Sequence, residues 1–122
     1  MGRVEAWETR EWFQEFLESL NRHDPEAVRE FLAPADAWLD DYADLVRGFP
    51  DWQWRRIQIV VEEDRLAVHL RGSGTHTGIF RHLPPTRRRV SIAAFAMYRV
   101  TRGRIVEASG TDDAEAIRAA VL

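Results

Sequence analysis

Two adjacent carboxylates near the C-terminus are the strongest candidates for acid/base chemistry. Asp112 and Asp113 follow the last predicted strand, at the point where a terminal helix can begin. Adjacent side chains diverge, so only one of the two can point into an apolar pocket, where burial would raise its pKa and suit it to proton transfer. The structural alternative is that one aspartate simply caps the helix. The sequence leaves open which residue takes which part.

The histidines do not predict a metal site. His23 lies in a polar turn between two predicted helices and is expected to be solvated, while His69 points away from the apolar row of its strand. His76 and His82 flank a long hairpin. No pair has the helical spacing of metal ligands, and the chain contains 0 cysteines that could supply thiolates. We therefore expect no metal.

A group of aromatic residues could line an apolar ligand site, with an indole N–H or a phenol O–H fixing a carbonyl group. The alternative is an ordinary core, and the two are compatible because a pocket in such a domain is a core left partly unfilled. The members of this group are Trp7, Trp12, Trp38, Tyr42, Trp52, Trp54 and Tyr98. From it we take Trp38, Tyr42, Trp54 and Tyr98 as candidate ligand-binding residues.

The composition favours a single globular domain over residues 1–122. Aromatic residues make up 11% of the 122 residues, which gives enough apolar surface for one packed core. The formal net charge of −3 argues against nucleic acid or an anionic membrane as a partner. No apolar run approaches the roughly 20 residues of a membrane span. Because Met1–Glu5 lacks the apolar core of a signal peptide, we expect a cytoplasmic location.

Three helices are predicted in the first half of the chain. Apolar residues recur at helical spacing over 8–20. Asp24 and Pro25 suit the start of a second helix, as a cap and a first-turn proline. A third helix is predicted over 36–47, and Gly48 ends it.

The second half changes to the period of β-strands. Strands are predicted over 52–61, 65–72, 88–100 and 104–109, followed by a short terminal helix. Helices followed by an antiparallel meander define an α+β fold, with N-terminal helices packed on one face of a curved antiparallel sheet. The predicted shape is a cone lined by helices.

The hairpin between the second and third strands carries a recognisable pattern. It reads Gly74-Thr75-His76-Thr77-Gly78, then Phe80 and Pro84-Pro85-Thr86. Weaker matches are Phe49-Pro50-Asp51, Tyr98-Arg99-Val100 and Gly103-Arg104-Ile105-Val106-Glu107. Over about residues 10 to 118 the sequence resembles the SnoaL-like polyketide cyclases of the NTF2-like, ketosteroid-isomerase-like superfamily. The resemblance implies an NTF2-like cone around an apolar cavity.

The same resemblance implies a cyclase or isomerase that acts without a cofactor on a small apolar carbonyl compound. Family members use an aspartate near the end of the last strand, which corresponds here to Asp113 or Asp112. Tyr98, His76 or an indole N–H would polarise the carbonyl oxygen. Phe80 joins the candidate ligand-binding residues on this basis.

The sequence also departs from the family pattern. Ala96 stands where relatives often have a histidine, and His82 stands where a glycine is expected. The segment 35–48 is short, so the family's first strand is expected to be missing. These departures favour two alternatives: a non-catalytic domain that binds an apolar ligand or another chain, and a dimeric accessory protein. The resemblance further implies a homodimer through the sheet. Its contact face is expected to carry either His69 and Arg71 or Phe95 and Met97.

Overall fold

The computed structural model describes residues 5–33 and 36–122. The helices are α1 (Ala6–Asn21), α2 (Pro25–Arg29), α3 (Asp36–Gly48) and α4 (Asp113–Val121). Helix α2 begins as its sequence predicts, because the Asp24 carboxylate accepts hydrogen bonds from the backbone N–H groups of Glu26 and Ala27. None of the described helices is long and apolar enough to cross a membrane.

One antiparallel sheet follows the first three helices. Its strands are β1 (Gln53–Glu62), β2 (Arg65–Thr75), β3 (Arg89–Thr101) and β4 (Arg104–Gly110), in the order β1-β2-β3-β4. Strand β2 continues beyond the predicted end at Gly72, and Gly74 and Thr75 pair with Val90 and Arg89. Helices packed against an open four-stranded sheet confirm the predicted α+β class.

The core lies between the helices and the inner face of the sheet. Strand β2 alternates as predicted, with Leu66, Val68 and Leu70 buried on that face. Phe13 and Phe16 of α1 pack into the same cluster. A second apolar cluster joins the end of α3 to α4 and contains Leu45, Phe49, Trp52, Phe80, Val90, Ile92, Ile117 and Val121. The candidate site lies beside this second cluster.

The outer face of the sheet exposes three large apolar side chains. Val60, Phe95 and Met97 are 58%, 52% and 61% exposed. His69 points to this face, as predicted, and its ring stacks on Phe95 with 4.4 Å between the ring centroids. No helix of the described chain covers these side chains.

The segment 35–48 is expected to be too short for the family's first strand, and its described residues form helix α3 (Asp36–Gly48). A single bridge remains, in which Leu32 lies parallel to Ile105 of β4. The Ile105 N–H donates to the carbonyl of Phe31 at 2.8 Å, and the Ala33 N–H donates to the carbonyl of Ile105 at 3.2 Å. These bonds attach the chain to the edge of the sheet before α3 begins.

Candidate active site

A cavity of about 440 Å³ opens between α3, α4, β1 and the hairpin loop of residues 76–88. Its volume falls within the roughly 300–1,000 Å³ range of small-molecule sites. The residues that line it are Trp38, Asp41, Tyr42, Leu45, Trp54, Phe80, Arg81, Thr111, Asp112, Asp113, Ala114 and Ile117. An aromatic wall and a carboxylate wall therefore face the same space.

Helix α3 supplies one aromatic wall. Trp38 and Tyr42 lie one turn apart and stack with ring centroids 5.5 Å apart and planes 21° apart. The Tyr42 hydroxyl donates to the carbonyl of Leu20 at 2.7 Å, so it is not free to donate to a ligand. Burial and the nearby charge of Asp24 raise the pKa of Tyr42 to about 12. Tyr42 thus contributes a flat surface to the cavity and keeps its proton.

Trp54 forms the wall on the sheet side, and Asn21 fixes its backbone. The Asn21 side-chain amide donates to the Trp54 carbonyl at 2.9 Å and accepts from the Trp54 N–H at 2.8 Å. Gly72 on the neighbouring strand leaves room for the indole. A Cβ at this glycine would lie 2.5 Å from Cζ3 of Trp54 and 2.4 Å from Cζ2 of Trp52. A side chain at position 72 would therefore displace both rings.

The hairpin loop brings Phe80 and Arg81 to the cavity, and His76 holds the base of this loop. The Thr86 N–H donates to Nδ1 of His76 at 3.2 Å. The backbone N–H of His76 donates to the carbonyl oxygen of Arg88 at 3.0 Å, which joins the two ends of the loop. The His76 ring is fully buried and stacks on Phe49. The structure does not place His76 among the residues that line the cavity. Its observed contacts are those of a residue that shapes the loop.

Asp112 caps helix α4. Its Oδ1 accepts a hydrogen bond from the Glu115 N–H at 3.1 Å, and its backbone is extended, as an N-cap requires. Asp112 is exposed at the rim of the cavity. The structural alternative considered for the aspartate pair therefore applies to this residue.

Asp113 is half-buried on the wall of the cavity. The Thr111 hydroxyl donates to its Oδ1 at 3.0 Å, and this hydroxyl in turn accepts from the Phe95 N–H at 3.0 Å. Burial raises the pKa of Asp113, and the negative charge of Asp112 adds to this, against the opposing effect of the Thr111 hydrogen bond. Gly110 permits this arrangement, since a Cβ there would lie 2.2 Å from the carbonyl oxygen of Phe95.

Tyr98 lies on the inner face of β3 and packs edge-on against Phe16, with ring centroids 6.1 Å apart. Burial and the charge of Asp113 raise the pKa of Tyr98 to about 12. Tyr98 is not among the residues that line the cavity. No hydrogen-bond partner for its hydroxyl is present among the described residues.

Four of the five candidate ligand-binding residues thus meet at one cavity, together with both aspartates. Sequence reasoning missed Arg81, Asp41 and Thr111. Asp41 and its neighbours on α3 are expected from the sequence to form a solvated face, and Asp41 is exposed as expected. What the sequence does not indicate is the ion pair in which the Arg81 guanidinium binds Asp41 Oδ1 at 2.5 Å. A helical turn that places Asp41 between Trp38 and Leu45, both on the inner face, is the signal that could have suggested it.

The helices, the sheet and the cavity between α3 and α4 define an α+β protein of the NTF2-like class. The family model for SnoaL-like polyketide cyclases matches residues 8–121, and the chain belongs to this family. No curated protein matches the chain.

Three solved structures illustrate the similarity. AclR from Streptomyces galilaeus, a proposed hydroxylase, superposes with a TM-score of 0.81 at 23% identity over 93% of this chain and 82% of its own. A proposed SnoaL-like polyketide cyclase from Jannaschia sp. CCS1 superposes with a TM-score of 0.81 at 19% identity, over 99% of this chain and 96% of its own. IdmH from Streptomyces antibioticus, a proposed polyketide cyclase, superposes with a TM-score of 0.76 at 26% identity, over 91% of this chain and 96% of its own.

Proposed function

We propose that the protein is a cyclase or isomerase that acts in the cytoplasm, without a cofactor, on a small apolar carbonyl compound. The observation that carries this proposal is Asp113, a half-buried carboxylate of raised pKa on the wall of an aromatic cavity. A carboxylate in this setting is a stronger base than one in water, because burial disfavours its charged form. Trp38, Tyr42, Trp54 and Phe80 would enclose the apolar body of the substrate.

In the proposed reaction the Asp113 carboxylate takes the proton from the carbon next to the substrate carbonyl. The electron pair of the broken C–H bond forms an enolate, whose carbon attacks a second carbonyl of the same molecule and closes the ring. The Asp113 carboxylic acid then returns the proton to the resulting alkoxide. Asp113 accepts one proton and returns one proton, so the carboxylate is regenerated at the end of the reaction. Base catalysis of this kind contributes about 10²–10⁴-fold.

Tyr98 is the residue that we propose to stabilise the enolate oxygen. Its pKa of about 12 keeps the hydroxyl protonated, and the hydroxyl has no partner among the described residues. Tyr42 does not suit this part because Leu20 already occupies its hydroxyl. His76 does not suit it either, since its contacts are to Thr86 and Phe49. A small reorientation of the Tyr98 ring on substrate binding is part of this proposal.

The test is proton exchange on a simple ketone that fits the cavity. In D₂O the wild-type protein should accelerate exchange of the α-protons of 2-tetralone over buffer, as followed by NMR. Asp113→Asn should reduce this rate to that of buffer, while Asp112→Asn should retain it, because Asp112 lies at the rim as a helix cap. Equal rates for wild type and Asp113→Asn would overturn the proposal.

A non-catalytic, ligand-binding domain is the second candidate function, and Ala96 favours it. Its side chain, on the inner face of β3 between Ala94 and Tyr98, is apolar and supplies no second acid or base. In that case 2-tetralone would bind to the wild-type protein without any exchange above buffer.

A homodimer through the outer face of the sheet is also part of the proposal, whether or not the protein is catalytic. The supporting observation is the exposure of Val60, Phe95 and Met97 on one face. Exposed side chains of this size in one patch are typical of an interaction surface.

A further inference from the structure

We infer that Arg81 is a specificity-determining residue: it offers hydrogen-bond donors to an oxygen atom of a neutral substrate, while the carboxylates of Asp41, Asp112 and Asp113 make the cavity unfavourable for anions. This inference rests on the proposed function, because it assumes that the cavity between α3 and α4 binds the substrate. Beyond the proposed function, the inference specifies that the substrate is neutral and that Arg81 binds its oxygen atom.

The guanidinium of Arg81 is held along one edge only. Nη2 binds Oδ1 of Asp41 at 2.5 Å, and Nε faces Oδ2 of Asp44 at 3.8 Å. Both carboxylates belong to α3, one turn apart, so they fix the plane of the group. The N–H groups of Nη1 have no partner among the described residues. Arg81 is among the residues that line the cavity, and our inference is that Nη1 offers these donors to a bound molecule there.

The backbone also fixes the position of Arg81. Phe80 and Leu83 pair through two hydrogen bonds, Phe80 N to Leu83 O at 3.1 Å and Leu83 N to Phe80 O at 2.8 Å. The two residues between them, Arg81 and His82, have positive φ values of 45° and 69°. The guanidinium carbon lies 5.9 Å from the centre of the Phe80 ring. The tight turn therefore sets the arginine at the edge of the aromatic wall.

The charges around the mouth select against anions. Arg81 is the one cationic side chain among the lining residues, which also include Asp41, Asp112 and Asp113. Asp41 and Asp44 already compensate its charge. A carboxylate ligand would meet this excess of negative charge, whereas a neutral carbonyl oxygen accepts from Nη1 without that repulsion.

Three probes with the same ring body test the inference: tetralin without oxygen, the neutral ketone 2-tetralone, and the anion 1,2,3,4-tetrahydro-2-naphthoate. NMR titration of the wild-type protein should give tightest binding for 2-tetralone and at least about tenfold weaker binding for the anion. Arg81→Met should weaken the binding of 2-tetralone by about tenfold and leave the binding of tetralin unchanged. Asp41→Asn should reduce the difference in affinity between the anion and 2-tetralone.

Arg47→Met is the matched control, because Arg47 pairs with Asp44 at 3.0 Å on the same helix but does not line the cavity. It should bind all three probes like the wild-type protein. If Arg81→Met binds 2-tetralone as tightly as the wild-type protein does, the inference about Arg81 is wrong, and the exchange assay with Asp113→Asn still decides the proposed function. If no probe binds to the wild-type protein, both proposals are wrong.

Discussion

Asp112 and Asp113 are neighbours in the chain but have different structural parts. Asp112 Oδ1 accepts from the Glu115 N–H at 3.1 Å and begins helix α4, whereas Asp113 Oδ1 accepts from the Thr111 hydroxyl at 3.0 Å on the cavity wall. The divergence of adjacent side chains at a helix start produces this division. One carboxylate satisfies the backbone, and the other is left for a ligand.

This division predicts opposite consequences for two substitutions. Asp112→Ala should lower the free energy of unfolding by about 1 kcal/mol, because the cap of α4 is lost, while ketone exchange continues. Asp113→Asn should not lower the free energy of unfolding and should abolish exchange. Urea unfolding together with the 2-tetralone assay measures both quantities. If both variants lose stability equally and retain exchange, Asp113 is not the base.

The raised pKa of Asp113 predicts how stability depends on pH. Because the folded state holds this proton more tightly than the unfolded state, where the value is near 3.8, the wild-type protein loses stability as pH rises from 3.8 through the folded-state pKa. Asp113→Asn removes that penalty. The variant should therefore be more stable than the wild-type protein at neutral pH, and the difference should vanish below pH 3.8.

Urea titrations at several pH values test this prediction directly. A constant difference between Asp113→Asn and the wild-type protein from acidic to neutral pH would contradict it. The fall of the ketone exchange rate at acidic pH provides a second measurement, since exchange requires the Asp113 carboxylate. Its midpoint should lie above the ordinary aspartate value of 3.8.

The fold could be predicted from sequence because its signals are local and repeated. The alternation of Leu66, Val68 and Leu70 against His69 fixes which face of β2 is buried, and the structure confirms it. The predicted end of β2 at Gly72 is wrong, since glycines at 72 and 74 weaken the strand pattern that continues to Thr75. They are tolerated there because the Trp52 and Trp54 rings cover them.

The site was only partly predictable because its remaining members depend on contacts between distant segments. Arg81 meets Asp41 across 40 positions of sequence, and no periodicity reports such a pair. The polar surroundings of His23 predict a solvated side chain, and this prediction is wrong. It is half-buried, and its Nε2 lies 2.6 Å from the Trp52 carbonyl oxygen.

Asp51 should show the opposite pH dependence to Asp113. Burial alone would raise its pKa, but hydrogen bonds from the Thr75 N–H at 2.7 Å and the Thr75 hydroxyl at 2.9 Å outweigh this and, with Arg89, lower it. The stability that Asp51 contributes is therefore present above pH 3.8 and lost as pH falls through its lowered pKa.

Asp51→Ala tests this contribution, because it removes both hydrogen bonds between the turn before β1 and the end of β2. The free energy of unfolding at neutral pH should fall by about 1–2 kcal/mol, and the loss should shrink in acid. Asp40→Asn, an exposed position on α3, serves as the control and should change little. A loss for Asp51→Ala that does not vary with pH would contradict the assigned cause.

The outer face of the sheet predicts a dimer in solution. Light scattering should give about twice 14.2 kDa for the wild-type protein. Phe95→Glu should produce monomers, because it places a charge at the centre of the apolar patch beside His69. Ile79→Glu is the matched control, since Ile79 is 56% exposed on the hairpin loop, away from the sheet. A wild-type monomer at all concentrations would contradict the prediction.

The turn at Arg81 and His82 predicts a stabilising substitution. Both residues have positive φ, 45° and 69°, which costs a residue with a Cβ about 1–2 kcal/mol, whereas glycine adopts it freely. His82→Gly should raise the free energy of unfolding by about 0.5–1 kcal/mol, because added freedom in the unfolded chain offsets part of the gain. His82→Ala, which keeps the Cβ, should show no gain. Since Arg81 keeps its place, ketone exchange should be unchanged; equal stabilities for the two variants would show that the turn is unstrained.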